Sequence, residues 1–315
     1  MYFPTAGIET ALWLPPVVAF AISFFTSMGG VSGAFLLLPF QMSFLGYTHP
    51  SVSATNQLFN IVAIPSGVYR YVKEGRMVWP LTWMVIVGTL PGVLIGAVVR
   101  VTWLPDPRDF KLFVGLVMLY IGTRMVKSLF FSSADKGAAA ANEKKFQAQA
   151  VARRQGRQDA DGPASSVRVL SFTAKQLSYS FYEETYTVST MGVFSLCFIV
   201  GIVGGIYGIG GGSIVAPFFI SFWKLPVYTV AGAALMGTFV TSVAGVAFYQ
   251  ILAFSYPTMS VAPDWMLGLL FGLGGMGGMY LGARCQKFVP SKYIKLFLVA
   301  VLLYTGIKYT VDFLR

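Results

Sequence analysis

The sequence predicts an all-α polytopic membrane protein of two inverted repeats, each a glycine-broken re-entrant helical hairpin followed by three transmembrane helices. Three observations predict it: an apolar composition, an internal duplication and the placement of basic residues. The 315 residues are 56% hydrophobic and 11% charged, with a mean hydropathy of +0.68. That is more apolar surface than a soluble chain of this length can bury, so lipid is the expected solvent.

Apolar runs near 51–70, 79–99, 110–131, 227–252, 265–283 and 293–314 can each cross a ~30 Å hydrocarbon core as a helix of about 20 residues. The runs 11–45 and 188–222 are too long for one span. No Lys or Arg precedes the first run. It therefore lacks the basic opening of a cleavable signal peptide and is expected to stay in the mature protein.

At an offset of 178, GGVSGAFLLLPFQMSF (29–44) lies on YGIGGGSIVAPFFISF (207–222) without a gap. Gly30, Gly33, Pro39, Phe40, Ser43 and Phe44 meet Gly208, Gly211, Pro217, Phe218, Ser221 and Phe222. The register continues through Gly67 on Gly245 and Tyr71 on Tyr249, and KLF recurs at 111–113 and 295–297. The halves read as duplicates.

Glycines interrupt both over-long runs, at SMGGVSG (27–33) and YGIGGG (207–212). Each glycine costs a helix about 1 kcal/mol against alanine, so a cluster marks a break. Either each run is one kinked span, giving eight in all, or it folds back as a hairpin, giving ten segments and an inverted second half. With ten, Arg70, Lys73, Arg76, Lys224, Arg284, Lys287, Lys292 and Lys295 share one side with the basic central linker. Arg100, Arg108, Lys111 and Arg315 remain opposite. With eight, that bias nearly vanishes, so positive-inside logic favours the inverted arrangement with both termini periplasmic.

The expected division is a first repeat at 1–131, a cytosolic linker at 132–187 and a second repeat at 188–315. Between Lys127 and Lys175 the linker carries nine Lys/Arg against four Asp/Glu. Its Ala-rich charged stretch 138–158 allows a helix, DADGPASS (159–166) is a turn-rich break, and 168–188 has the β-branched and aromatic content of a short hairpin.

A helix interrupted inside a membrane leaves backbone N–H groups unpaired, tolerated only where protein or a wet cavity surrounds them. Where a second half-helix starts, those groups and the positive end of the dipole make an anion site. The two starts fall at Gly33–Ala34 and at Gly212–Ser213, after Gly211, and Ser32 and Ser213 add hydroxyls.

The following helix in each half supplies Asn56, Gln57 and Asn60, or Thr238 and Thr241. Asn56 and Asn60 share a face at i, i+4. Asn60 aligns with Thr238, and at about 1.5 Å per residue both lie near the bilayer midplane. The competing account is interhelical hydrogen bonding for the hydroxyls and close helix packing for the glycines. The packing account is adopted for Gly92, Gly96, Gly274, Gly278 and Gly282, but not for the YGIGGGS break.

The net charge of +11 belongs to loops and linker, so no nucleic-acid partner is expected. Cys197, Cys285 and His49 have no metal-ligand or disulfide spacing, so neither metal nor cofactor is expected. No HExxH, paired intramembrane Asp or Ser/His pair argues for an enzyme. Arg124 and Lys308, repeat mates in the last helices, read as snorkelling anchors or as attractors of anions.

GGIYGIGGGSIVAP (204–217), with its degenerate partner GGVSGAFLLLP (29–39), resembles the duplicated signature of the sulfite exporter TauE/SafE family of membrane permeases. The likeness covers both hydrophobic halves. It implies inner-membrane movement of sulfite, sulfonates or related anions, although the first motif lacks the triple glycine and the long basic linker is unusual. The expected function is transport of a small anion held between the two broken-helix tips. An anion channel and a membrane scaffold are the alternatives, and pairing of two copies into a homodimer stays open.

Overall fold

The computed structural model describes residues 1–29, 32–73, 77–130, 167–181, 184–285 and 291–315. The first half comprises α1 (Leu14–Gly29), α2 (Ala34–Ser43), α3 (Ser51–Ala63), α4 (Pro65–Lys73), α5 (Trp79–Thr102) and α6 (Pro107–Phe130). The second comprises α7 (Thr190–Tyr207), α8 (Gly212–Phe222), α9 (Val227–Ser255), α10 (Trp265–Cys285) and α11 (Ser291–Leu314). Among the described residues, five helices are long and apolar enough to cross a membrane, in α5, α7, α9, α10 and α11, and Leu14–Ser27 and Ala34–Ser43 are shorter apolar helices.

The interior carries polar side chains, with Ser53, Asn56, Gln57, Asn60, Thr89 and Thr241 wholly buried. The outside carries large apolar ones, among them Phe20, Trp83, Val87, Leu116, Ile199, Ile251 and Leu273. An exposed apolar coat of that extent is unsuited to water and suits lipid.

Packing follows the duplication. Helix α1 lies along α10, and its repeat mate α7 lies along α5, the mate of α10. The mates α6 and α11 pack on each other. The contacts match residue by residue. A Cβ on Gly92 would strike the Phe198 carbonyl, and one on Gly278 the Phe20 carbonyl. Gly96 and Gly282 stand in the same relation to the carbonyls of Ile202 and Phe24. Phe20 and Phe198, like Phe24 and Ile202, are separated by the 178-residue offset. Small residues let these backbones approach, as the packing account expects.

One expected span is divided. The run 51–70 bends at Ile64 into α3 and α4, because Pro65 has no N–H to continue the hydrogen-bond ladder and its ring crowds the preceding turn. Its repeat counterpart, α9, has Val243 at the matching position and runs unbroken.

Both broken runs return to the end at which they start. Gly7, ahead of α1, packs on His49, beyond α2, while Gly192, at the start of α7, packs on Trp223, beyond α8. The first end also gathers the 256–264 loop, through Ser51 N–H to Ser260 O at 3.0 Å. The second gathers the 77–79 region, where Met77 meets Gly232.

Small sheets precede each half. β1 (Tyr2–Phe3) and β2 (Ile8–Glu9) form an antiparallel pair, while β3 (Arg168–Phe172), β4 (Gln176–Phe181) and β5 (Glu184–Ser189) form a three-stranded antiparallel sheet in the stretch read as a hairpin. Phe3 and Phe181, 178 apart, are both buried. The Tyr179 hydroxyl bonds Thr229 at the head of α9 at 2.9 Å. The 138–158 stretch, DADGPASS, the basic residues Arg76 and Lys287, and Gly30 of the first break lie outside the described residues.

Candidate functional site

The second break is built by backbone conformation. Helix α7 stops because Gly208 and Gly210 adopt left-handed φ of 84° and 76°, a region in which an L side chain is strained. The last carbonyls of a helix have no intrahelical donor, and here side chains supply several. Tyr249 Oη donates to Gly205 O at 3.2 Å and Ser53 Oγ to Ile206 O at 3.1 Å. Asn56 Nδ2 donates to Gly208 O at 3.0 Å. Asn60 Nδ2 and Ser213 Oγ both donate to Ile209 O, at 2.9 and 2.7 Å. The polar ladder of α3, from the first repeat, thus closes the carbonyl end of the second repeat's break.

The first break meets the same residues. Ser32 Oγ accepts the Ala34 N–H at 3.3 Å and lies 3.4 Å from Asn60 Oδ1. Asn56 Nδ2 also donates to Ala34 O at 3.1 Å, while its Oδ1 accepts from Gln41 Nε2 at 3.3 Å. On the other side Thr241 Oγ1 accepts the Gly211 N–H at 3.1 Å, and Thr238 and Ser213 hydroxyls lie 3.2 Å apart. The N-cap residues of α2 and α8 are Gly33 and Gly211, and neither contributes a side-chain cap.

Of the residues singled out in the sequence, Ser32, Gly33, Ala34, Asn56, Asn60, Gly211, Ser213, Thr238 and Thr241 therefore converge where the breaks meet. At Gly212 a Cβ would strike the Ala234 carbonyl, and one on Gly211 the Thr89 side chain. Both glycines admit a neighbouring helix, so close packing, set aside for this break from sequence, also acts here. Gln57 stands apart, buried against Gly245 with neither amide atom paired.

Four further residues, among them Tyr207, whose hydroxyl donates to Phe35 O, carry no signal in the sequence that marks them. Tyr207, Ser53 and Gln41 have no periodicity that separates them from core residues. Arg100, expected among the basic residues on the side opposite the linker, is wholly buried. Its guanidinium stacks 3.6 Å above the Phe110 ring, donates to Thr48 O at 3.2 Å and also to Leu104 O. Phe110 and the 44–50 loop fold over a residue that hydropathy alone assigns to the membrane edge.

Chemically, the junction offers helix N-termini, amides and hydroxyls with no charged side chain in its hydrogen-bonded set. Such groups can replace the hydration of an anion without holding it as tightly as a fixed cation.

Comparison with known proteins finds relatives along nearly the whole chain. The profile described as Sulfite exporter TauE/SafE matches residues 16–309. Over 290 residues, covering 89% of this chain and 90% of the relative, the chain is 23% identical to the Bacillus subtilis (strain 168) protein named probable membrane transporter protein YunE. No solved structure matches it. Members of the family are membrane transporters, not enzymes. Matched along nearly its whole length, this multi-pass membrane protein belongs to the sulfite exporter TauE/SafE family.

Proposed function

We propose that the protein carries a small oxyanion, sulfite or a related sulfur oxyanion or sulfonate, across a bacterial inner membrane, bound where the two helix breaks meet. The observation that carries this reading is the convergence of both breaks on Asn56, Asn60, Ser213, Thr238 and Thr241 in the buried centre. Helix dipoles contribute about 0.3–1 kcal/mol each toward an anion, more when partly buried. Hydrogen bonds to a charged ligand contribute about 1.5–3 kcal/mol each. Without a cation among these ligands, a singly charged oxyanion suits the junction better than a doubly charged one, whose dehydration costs far more.

The inverted arrangement belongs to the same reading: repeats 1–131 and 188–315, with 132–187 as a cytosolic linker. The residue-matched exchange of α1 with α10 and of α7 with α5 supports it, as does the return of each broken run to its starting end. The central ligands are buried and bonded to the break carbonyls, so access requires those bonds to open on one side at a time. That favours a carrier over an open channel.

Flux into proteoliposomes of sulfite, sulfate, thiosulfate and short alkanesulfonates tests the proposal. Saturable flux of singly charged members ahead of sulfate is expected. A conductive current far above carrier turnover identifies a channel instead.

A further inference from the structure

Gln57 and Arg100 are long polar side chains that the junction does not account for. Gln57 is wholly buried, and both its carboxamide atoms lack a hydrogen-bond partner. Arg100 is wholly buried, its Nε is unpaired, and its Nη atoms meet only carbonyl oxygens. Among the described residues no carboxylate pairs with it. Asp264, near the same end, is engaged by the N–H groups of Ala6 and Leu267 at 3.2 and 3.0 Å.

These residues lie in order along one interface. Helices α3 and α9 pack antiparallel, with Ser53 facing Tyr249, Gln57 facing Gly245 and Asn60 facing Ser242. Tyr249 packs in one cluster with Ala97 and Val101, which flank Arg100 on α5. A polar series therefore runs Arg100, Tyr249 with Ser53, Gln57, Asn60, from the end formed by the 44–50 and 103–106 loops to the junction. From Ser53 to Asn60 it rises roughly 10 Å along α3.

Packing does not require the Gln57 amide. The repeat counterpart of Gln57 facing Gly245 is Leu235 facing Gly67, where a leucine fills the same place. A buried amide with both atoms unpaired is disfavoured, and a polar ligand would relieve it.

We propose that Arg100 and Gln57 are anion ligands in series, Arg100 receiving a small oxyanion at that end of the bundle and Gln57 passing it to Asn60 at the junction. This rests on the transport reading above. The guanidinium supplies the charge that draws the ion in, and the neutral amide holds it without trapping it. No amide occupies the repeat-related position, so the two approaches to the junction are chemically unequal.

The test uses full-length protein in proteoliposomes with the same anion panel, and its unfolding midpoint in detergent. Gln57→Leu is expected to cut flux tenfold or more while the midpoint stays or rises, since leucine replaces an unpaired amide. Arg100→Lys keeps the charge but loses the planar fork. It is expected to raise KM severalfold and change maximal rate less. Wild-type-like flux in Gln57→Leu overturns the inference, and so does a parallel fall of flux and midpoint, which marks a structural amide. If the wild type moves no member of the panel, the transport reading falls first and this inference with it.

Discussion

The hydroxyl of Tyr207 donates to the carbonyl oxygen of Phe35 across 2.9 Å and the boundary between the repeats. The α-helical donor to that carbonyl would be the N–H of residue 39, which is a proline. Pro39, aligned with Pro217 in the duplication, thus opens a buried acceptor in α2, and the last residue of α7 closes it. The two breaks are held to each other through this bond as well as through Asn56, which reaches both Ala34 O and Gly208 O.

Tyr207→Phe should therefore leave Phe35 O buried and unpaired with little change in packing. The expected cost is about 1–3 kcal/mol, read as a lower unfolding midpoint in detergent. An unchanged midpoint would mean that the breaks do not depend on this bond.

Glycine packing gives a paired prediction. Gly92→Val and Gly278→Val each push a side chain into a backbone carbonyl of the partner helix and should destabilise by similar amounts, at least about 1–3 kcal/mol. Gly277→Ala, whose Cβ would meet only the Phe20 ring at 3.4 Å, should be tolerated. Unequal losses at Gly92 and Gly278 would argue against equivalent interfaces.

Gly212→Val should insert into membranes yet lose transport, because its side chain would displace α8 from the Ala234 carbonyl of α9. Membrane yield and proteoliposome flux measured together check this. Normal flux would show that α8 can move away from α9 without consequence.

The helical, membrane-embedded character was legible in the composition, and the glycine clusters that interrupt hydropathy fall where α1 and α7 end. Asn56, Asn60, Thr238 and Thr241 were readable as one constellation, since polar residues deep in an apolar run must find partners in one another, in broken backbone or in a ligand. Arg100 was not, because a basic residue at the end of an apolar run is usually interfacial and its burial depends on Phe110 and the 44–50 loop. The Tyr207–Phe35 bond depends on two breaks meeting across repeats, which no local period encodes. The bend at Ile64 was written in Pro65, but a proline inside an apolar run can also be carried within one helix, as Pro91 is in α5, so the run alone did not reveal the division.

Topology can be tested with single cysteines in a background where Cys197 and Cys285 are replaced. Cysteines introduced near Thr10 and at Arg315 should label from the periplasm, and one at Val169 from the cytosol, given the basic linker before it. Labelling of all three from one side removes the inverted arrangement.

Asn60 is the most informative single position, since its amide donates to Ile209 O at 2.9 Å, lies 3.4 Å from Ser242 Oγ and accepts from Ser32. Asn60→Ala removes a donor at the junction, but Ile209 O keeps its bond from Ser213, so the fold should survive. Losing one hydrogen bond to a charged ligand costs about 1.5–3 kcal/mol, or roughly tenfold or more in affinity. Asn60→Asp should be worse in two ways: its carboxylate faces the Ile209 carbonyl without a proton to donate, and it repels an incoming anion. Asn60→Thr, which copies the repeat counterpart Thr238, should retain the most binding of the three. Anion affinity of purified variants, measured beside their unfolding midpoints, separates loss of a ligand from loss of fold. An Asp variant that binds as tightly as the wild type would remove Asn60 from the site.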